Sequence, residues 1–204
     1  LFSLLRSENL YDDALIIVTS DHGESFGEYH NNGRVWIEWH SRIPYESQIR
    51  VPLIIKFPDA LSLEPRRIKE DVSVLDIAPT ILALLDLESN ADMRGHNLLE
   101  YFDETSRTTS PLLLSESPYG KSVRGTGGKY IRRGDGQEEF YNLTDDPDET
   151  RNLAPLRPEK MKELKGRYDE ITSEQRQTTI SIQELEKLAS PAVREQLKTL
   201  GYIE

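Results

Sequence analysis

The feature that most constrains this chain is the run Ala14-Leu15-Ile16-Ile17-Val18-Thr19-Ser20, which breaks at Asp21-His22-Gly23-Glu24. A continuous apolar run without alternation suits a strand covered on both faces, as in a parallel sheet. The strand ends in two adjacent side chains that can ligate a metal. Open α/β sheets hold their ligands at the carboxyl ends of strands. Three of the chain's four histidines, His22, His30 and His40, lie between this strand end and residue 40.

The elements around the run extend the same reading. Leu1, Leu4, Leu5 and Leu10 form an apolar stripe, so residues 1–9 read as the end of a helix. A helix followed by a buried strand is half of a doubly wound unit. Residues 21–44 read as a long irregular loop, a length that often carries function. Val51–Phe57 reads as a second strand, with Pro52 near its start and Pro58 at its end. Ile68–Val72 reads as a short extended piece. Asp76 looks like a helix N-cap with Pro79 in the first turn. The helix through Leu85 is apolar nearly all round and so is expected to be well buried. Gly95-His96 reads as a turn and Leu98–Phe102 as a short helix.

The composition changes after Thr105. Leu112–Glu116, Lys121–Gly125, Lys129–Arg133 and Glu138–Leu143 are short extended runs between Gly-rich turns, which predicts an antiparallel meander. Residues 159–174 read as an amphipathic helix with Met161, Leu164, Tyr168 and Ile171 on one face. A further helix is signalled by Ser190-Pro191 at its start and Gly201 past its end. The expected division is a sheet domain over 1–106 and a smaller subdomain over 107–204.

Composition excludes several classes. The net charge of −11 and the 30% charged fraction speak against broad binding to nucleic acid or anionic membranes. No stretch approaches the ~18 apolar residues of a membrane span. The absence of cysteine removes disulfides and thiolate chemistry from these residues. The first residue is Leu1, so the chain reads as a piece of something longer.

A carboxylate and an imidazole just past a strand end suit a divalent cation, and Gly23 is expected to let the backbone turn there. The alternative is a capping Asp21 beside an ordinary surface His22. His40 and Arg42 would together suit a tetrahedral oxyanion through charge-assisted hydrogen bonds; the alternative is a solvated loop. His30 carries the same ambiguity with less support. Tyr45, Glu46 and Arg50 read as structural. Lys129, Tyr130, Arg132 and Arg133 form a basic cluster expected on the solvent face of a strand. Asp145–Glu149 is expected to be a solvated turn. Asn142-Leu143-Thr144 fits a glycosylation acceptor pattern, one that often arises by chance.

The order Leu15–Glu24, Gly27-Glu28, His40, Tyr45-Glu46 and Ile49–Ile55 resembles the second half of a sulfatase catalytic domain. Asp76–Leu82, Arg94-Gly95 with Leu98-Leu99, Gly128–Ile131, Glu139–Leu143, Asp146-Pro147, Glu149–Leu153 and Leu197–Tyr202 are similar to later segments of that family. The resemblance implies an α/β fold, the C-terminal part of an alkaline-phosphatase-like doubly wound sheet domain, followed by a small antiparallel sheet with helices. It implies sulfate ester hydrolysis at a divalent metal, usually Ca2+, with Asp21 and His22 as metal ligands. It places His40 at the sulfate or the leaving oxygen, where it could protonate the leaving alcohol, and Arg42 beside it as a substrate-binding group. The family's formylglycine nucleophile is expected in an N-terminal half that these residues do not include, so the isolated chain is expected to be inactive. A periplasmic or extracellular location is expected on the same ground. A phosphoester or phosphonate hydrolase or phosphoethanolamine transferase of the same superfamily is the alternative enzyme. A truncated, non-catalytic binding module is the alternative outside catalysis.

Overall fold

The computed structural model describes residues 1–31, 34–37, 43–90, 93–103, 112–175 and 190–199. The chain divides into two compact units, Leu1–Lys165 and Gly166–Glu204.

The first unit begins with helix α1, Phe2–Ser7, and strand β1, Ile16–Thr19. Strands β2, Phe26–Asn31, and β3, Arg34–Ile37, form an antiparallel hairpin with a register shift between Phe26 and His30. The expected irregular loop over 21–44 therefore contains a hairpin. Its mixed polar sequence hides the two-residue period on which a strand is recognised. Helix α2 is a single turn, Glu46–Ile49, and β4 spans Leu53–Lys56 immediately after Pro52.

β1 pairs with β4 in antiparallel register, Ile16 opposite Lys56 and Thr19 opposite Leu53. The parallel arrangement expected for β1 is not found between these two strands. An apolar run reports burial, not strand direction, so direction could not be read from it. Nor is the run fully covered: Val18 and Ile54 are exposed. Lys56 closes this end of the sheet. Its Nζ donates to the carbonyls of Tyr11 and Asp12 at 2.6 and 2.7 Å and meets Asp59 at 3.0 Å.

Helix α3, Ile77–Leu84, starts where expected but is held differently. The buried Asp76 carboxylate does not cap α3. It accepts from Ser73 N at 2.7 Å and from His96 N at 2.8 Å. Thr80 Oγ1 donates to the Asp76 carbonyl and accepts from Leu98 N, tying the helix to the 3-10 segment Leu98–Phe102. Contrary to expectation α3 is half-exposed, with only Pro79 and Thr80 fully buried. Ile68–Val72 forms no strand.

The meander is as expected: β5, Leu113–Ser117; β6, Gly120–Gly125; β7, Gly128–Arg133; β8, Glu138–Tyr141, in the order β5-β6-β7-β8. The two-residue turn Thr126-Gly127 joins β6 to β7, with Gly127 at φ +105° and Gly128, which opens β7, at φ +149°, backbone that an L side chain rarely adopts. A Cβ on Gly128 would also lie 2.4 Å from the Tyr141 carbonyl. The core sits on β7 and its neighbours: Val123, Tyr130, Ile131 and Phe140 are buried. Burial of such side chains contributes about 1.5–3 kcal/mol each. The start of helix α4, Pro158–Gln175, belongs to this unit, and Leu164 is buried there.

In the second unit Tyr168 and Thr172 of α4 are buried, and Thr172 Oγ1 donates to the Tyr168 carbonyl at 2.9 Å. Helix α5, Pro191–Thr199, starts at the expected Ser190, whose Oγ accepts from Val193 N at 3.4 Å. Gly201 lies outside the described residues. Among the described residues no helix is long and apolar enough to cross a membrane.

Candidate functional site

Asp21 and His22 follow β1 directly, so the strand fixes where the turn begins. The turn is braced from within. Ser20 Oγ donates to the His22 carbonyl at 2.7 Å, and His22 N donates to Asp21 Oδ1 at 3.0 Å. His22 Nδ1 lies 2.7 Å from the Gly23 carbonyl. That oxygen can only accept, so Nδ1 carries a proton and Nε2 of the neutral ring keeps its lone pair. Nε2 lies 3.8 Å from Asp21 Oδ2. An imidazole nitrogen and a carboxylate oxygen thus converge, and the other ring nitrogen is anchored to a backbone carbonyl, as is usual for metal-ligating histidines. The donor set fits a divalent cation. Asp21 is largely exposed and His22 half-exposed, so the site opens to solvent. Among the described residues no group of three or more potential ligands gathers in one place.

Gly23 plays a part other than the expected one. Its φ is not positive. What matters is approach: Gly23 N donates to Gln48 O at 2.7 Å, and a Cβ would fall 2.1 Å from Ser47 O. The turn therefore rests on the backbone of α2.

His40 and Arg42 lie outside the described residues, so the structure neither brings them to Asp21 and His22 nor separates them. The backbone of His30 lies in β2.

Beneath α2 is a cluster that sequence reasoning placed wrongly. Lys129 is fully buried, not solvent-facing, and its Nζ meets Glu46 Oε1 at 3.0 Å and Glu149 Oε1 at 2.8 Å. Glu149 is buried too, at φ +54°, with Oε2 accepting from Glu46 N at 2.5 Å, so the Asp145–Glu149 turn is solvated only in part. Burial raises the Glu149 carboxyl above its ordinary range, and Lys129 opposes that rise. Arg124 joins Glu46 at 2.5 Å and grips Asp71 with two bonds of 2.6 and 2.8 Å. The structural reading of Tyr45 and Glu46 holds. Tyr45 and Tyr141 both donate to Glu139 Oε2, at 2.8 and 3.0 Å, and burial followed by the Glu139 charge raises both phenols. The Asn142 side chain is engaged in its own turn, donating to Asp145 and accepting from Thr144 N. Glu46 opens α2, and its buried cation lies 83 residues away in sequence, so no local pattern marks the pair.

A family model described as Sulfatase matches residues 1–87. Arylsulfatase K of Bos taurus is 29% identical over 172 residues, covering 76% of this chain and 30% of that protein. Residues 1–87 thus match the sulfatase family, and the chain is similar to arylsulfatases over three quarters of its length. Among solved structures, a putative sulfatase from Bacteroides thetaiotaomicron superposes with a TM-score of 0.68 at 23% identity, covering 95% of this chain and 42% of that one. A structure in complex with D-glucosamine-2-N,6-O-disulfate gives a TM-score of 0.64 at 23% identity, covering 87% and 37%. These neighbours share the fold of this chain. The chain spans 30% of the length of that arylsulfatase K, so it matches well under half of the relative.

Proposed function

We propose that this chain supplies the second part of the metal site of a sulfuric ester hydrolase. Asp21 and His22 hold the divalent cation, with Ca2+ the expected ion. The single observation that supports this is the convergence of Asp21 Oδ2 and His22 Nε2 at 3.8 Å with Nδ1 anchored on the Gly23 carbonyl. When bound, the cation supplies charge stabilisation for the sulfate oxygens. His40 contacts the sulfate or leaving oxygen and passes a proton to the leaving alcohol, and Arg42 pairs with the sulfate. The nucleophile, a formylglycine, comes from the remainder of the catalytic domain, which is the chain's partner in the reaction. The chain contains no cysteine, one of the two residues, Cys or Ser, that become formylglycine. In this reading residues 1–106 belong to the catalytic domain and 107–204 to the C-terminal subdomain. The substrate is a sulfate ester, as in the neighbour bound to a disulfated glucosamine. A periplasmic or extracellular location goes with the same reading.

Calorimetric titration of the full chain with calcium tests the metal site. The expected result is weak binding, because two protein ligands leave most of calcium's six to eight positions to water. Asp21→Ala is expected to abolish it; binding unchanged by that substitution would overturn the assignment. Assays with aryl sulfate, aryl phosphate and a phosphonate monoester test the rest. No turnover by the isolated chain is expected. Turnover that is lost in Asp21→Ala would show that the nucleophile lies within these residues, and a preference for phosphorus esters would overturn the sulfatase reading.

A further inference from the structure

Glu46, Lys129 and Glu149 hold neither metal nor sulfate in the reading above, yet they are buried and joined in one cluster. Lys129 stands on β7, the strand flanked by β6 and β8, and its ammonium bridges the Glu46 and Glu149 carboxylates at 3.0 and 2.8 Å. Glu149 also takes the Glu46 backbone N–H at 2.5 Å. The first residue of α2 is therefore held through both its side chain and its main chain. Two residues on, the opposite arrangement appears: α2 presents carbonyls, and Gly23 docks on them. Its N–H donates to Gln48 O, and the space a Cβ would need is occupied by Ser47 O. Gly23 in turn offers its own carbonyl to His22 Nδ1 at 2.7 Å. The links run from Lys129 to Glu46, through one turn of helix to Gly23, and from Gly23 to the imidazole.

We infer that Lys129, assisted by Glu149, is a positioning residue for the Asp21–His22 turn: the cation fixes α2, and the α2 carbonyls fix the turn. This rests on the reading of Asp21 and His22 as metal ligands. The physical argument is one of geometry. An apolar contact under α2 would bury it as well but would tolerate sliding. A buried network in which each charge meets an opposite one has one low-energy arrangement, because displacement leaves buried charges unpaired. A metal ligand held through its outer nitrogen needs that kind of support.

The test is amide hydrogen exchange, read by NMR on the full metal-free chain. In Lys129→Met, Gly23 N–H is expected to exchange at least about tenfold faster, while Leu98 N–H, bonded to Thr80 in the same unit, stays within about twofold. Glu46→Gln keeps the shape and is expected to act in the same direction; it decides the matter if Lys129→Met does not fold. Adding Glu149→Gln to Lys129→Met removes one stranded charge and is expected to recover part of the Gly23 protection. Glu138→Gln, on β8 but off this path, is expected to leave Gly23 unchanged. A uniform acceleration of all amides, or none at Gly23, would overturn the inference. In a second arm, Glu46→Gln is expected to weaken calcium binding about tenfold. Lost Gly23 protection with unchanged calcium affinity would also overturn it. If wild type binds no calcium, the metal reading falls, and the exchange arm still decides whether the cluster fixes the turn.

Discussion

The Asp21–His22 turn and the Glu46–Lys129–Glu149 cluster use similar groups in opposite settings. At the turn, a carboxylate and an imidazole sit at the surface, held by neighbours in sequence. In the cluster, two carboxylates and an ammonium are withdrawn from water, and their partners come from distant segments. The groups read as metal ligands stand open to solvent, Asp21 more than His22. A group that holds its neighbours in place has its charge paired within the protein. The comparison separates reactivity from support, and substitutions should separate them too.

The largest effect is expected at the buried end. Lys129→Met leaves Glu46 and Glu149 facing each other without their shared cation, and removal of one partner from a buried ionic pair costs about 3–5 kcal/mol. Arg124 still reaches Glu46, so the lower part of that range is expected, read as a fall in the urea midpoint. Gly23→Ala comes next. It forces a methyl onto the Ser47 carbonyl, and such overpacking costs about 1–3 kcal/mol. A stability unchanged from wild type would show that the turn is not seated on α2.

Two carboxylates are expected to give pH slopes of opposite sign. Glu138 is held below its ordinary range by hydrogen bonds from Lys165 and Tyr130. Its contribution is present above its unfolded pKa and is lost as pH falls through the lower, folded value. Glu138→Gln should therefore lose about 1 kcal/mol or less at neutral pH and match wild type in acid. Glu149 is raised by burial, so the folded protein binds its proton more tightly than the unfolded chain. Its contribution to stability falls as pH rises from the unfolded value through the raised folded one, and Glu149→Gln should flatten that decline. Urea unfolding across pH measures both.

The smallest effect on stability belongs to the exposed end. Asp21→Ala should shift unfolding by within about 0.5 kcal/mol, since the side chain is largely exposed, while abolishing calcium binding. A large loss of stability at Asp21 would place it with the supporting groups and collapse the distinction.

By itself the sequence determined what depends on near neighbours. The β1 run, the strand before Pro58, the meander with its Thr126-Gly127 turn, and the Asp21–His22 position past a strand end are all fixed by periodicity, turn residues and adjacency. Those forces act within a few residues and so leave local marks. Tertiary structure decided the direction in which β1 pairs, the hairpin inside residues 21–44, and the exposure of α3. It also decided that Lys129 turns inward and that Gly23 is needed for close approach to α2. Each depends on a partner far along the chain: β4 for β1, Glu46 and Glu149 for Lys129, Ser47 for Gly23. A lysine on a strand looks the same in sequence on either face. Only a buried pair of carboxylates, assembled by folding, makes the inner face the favourable one.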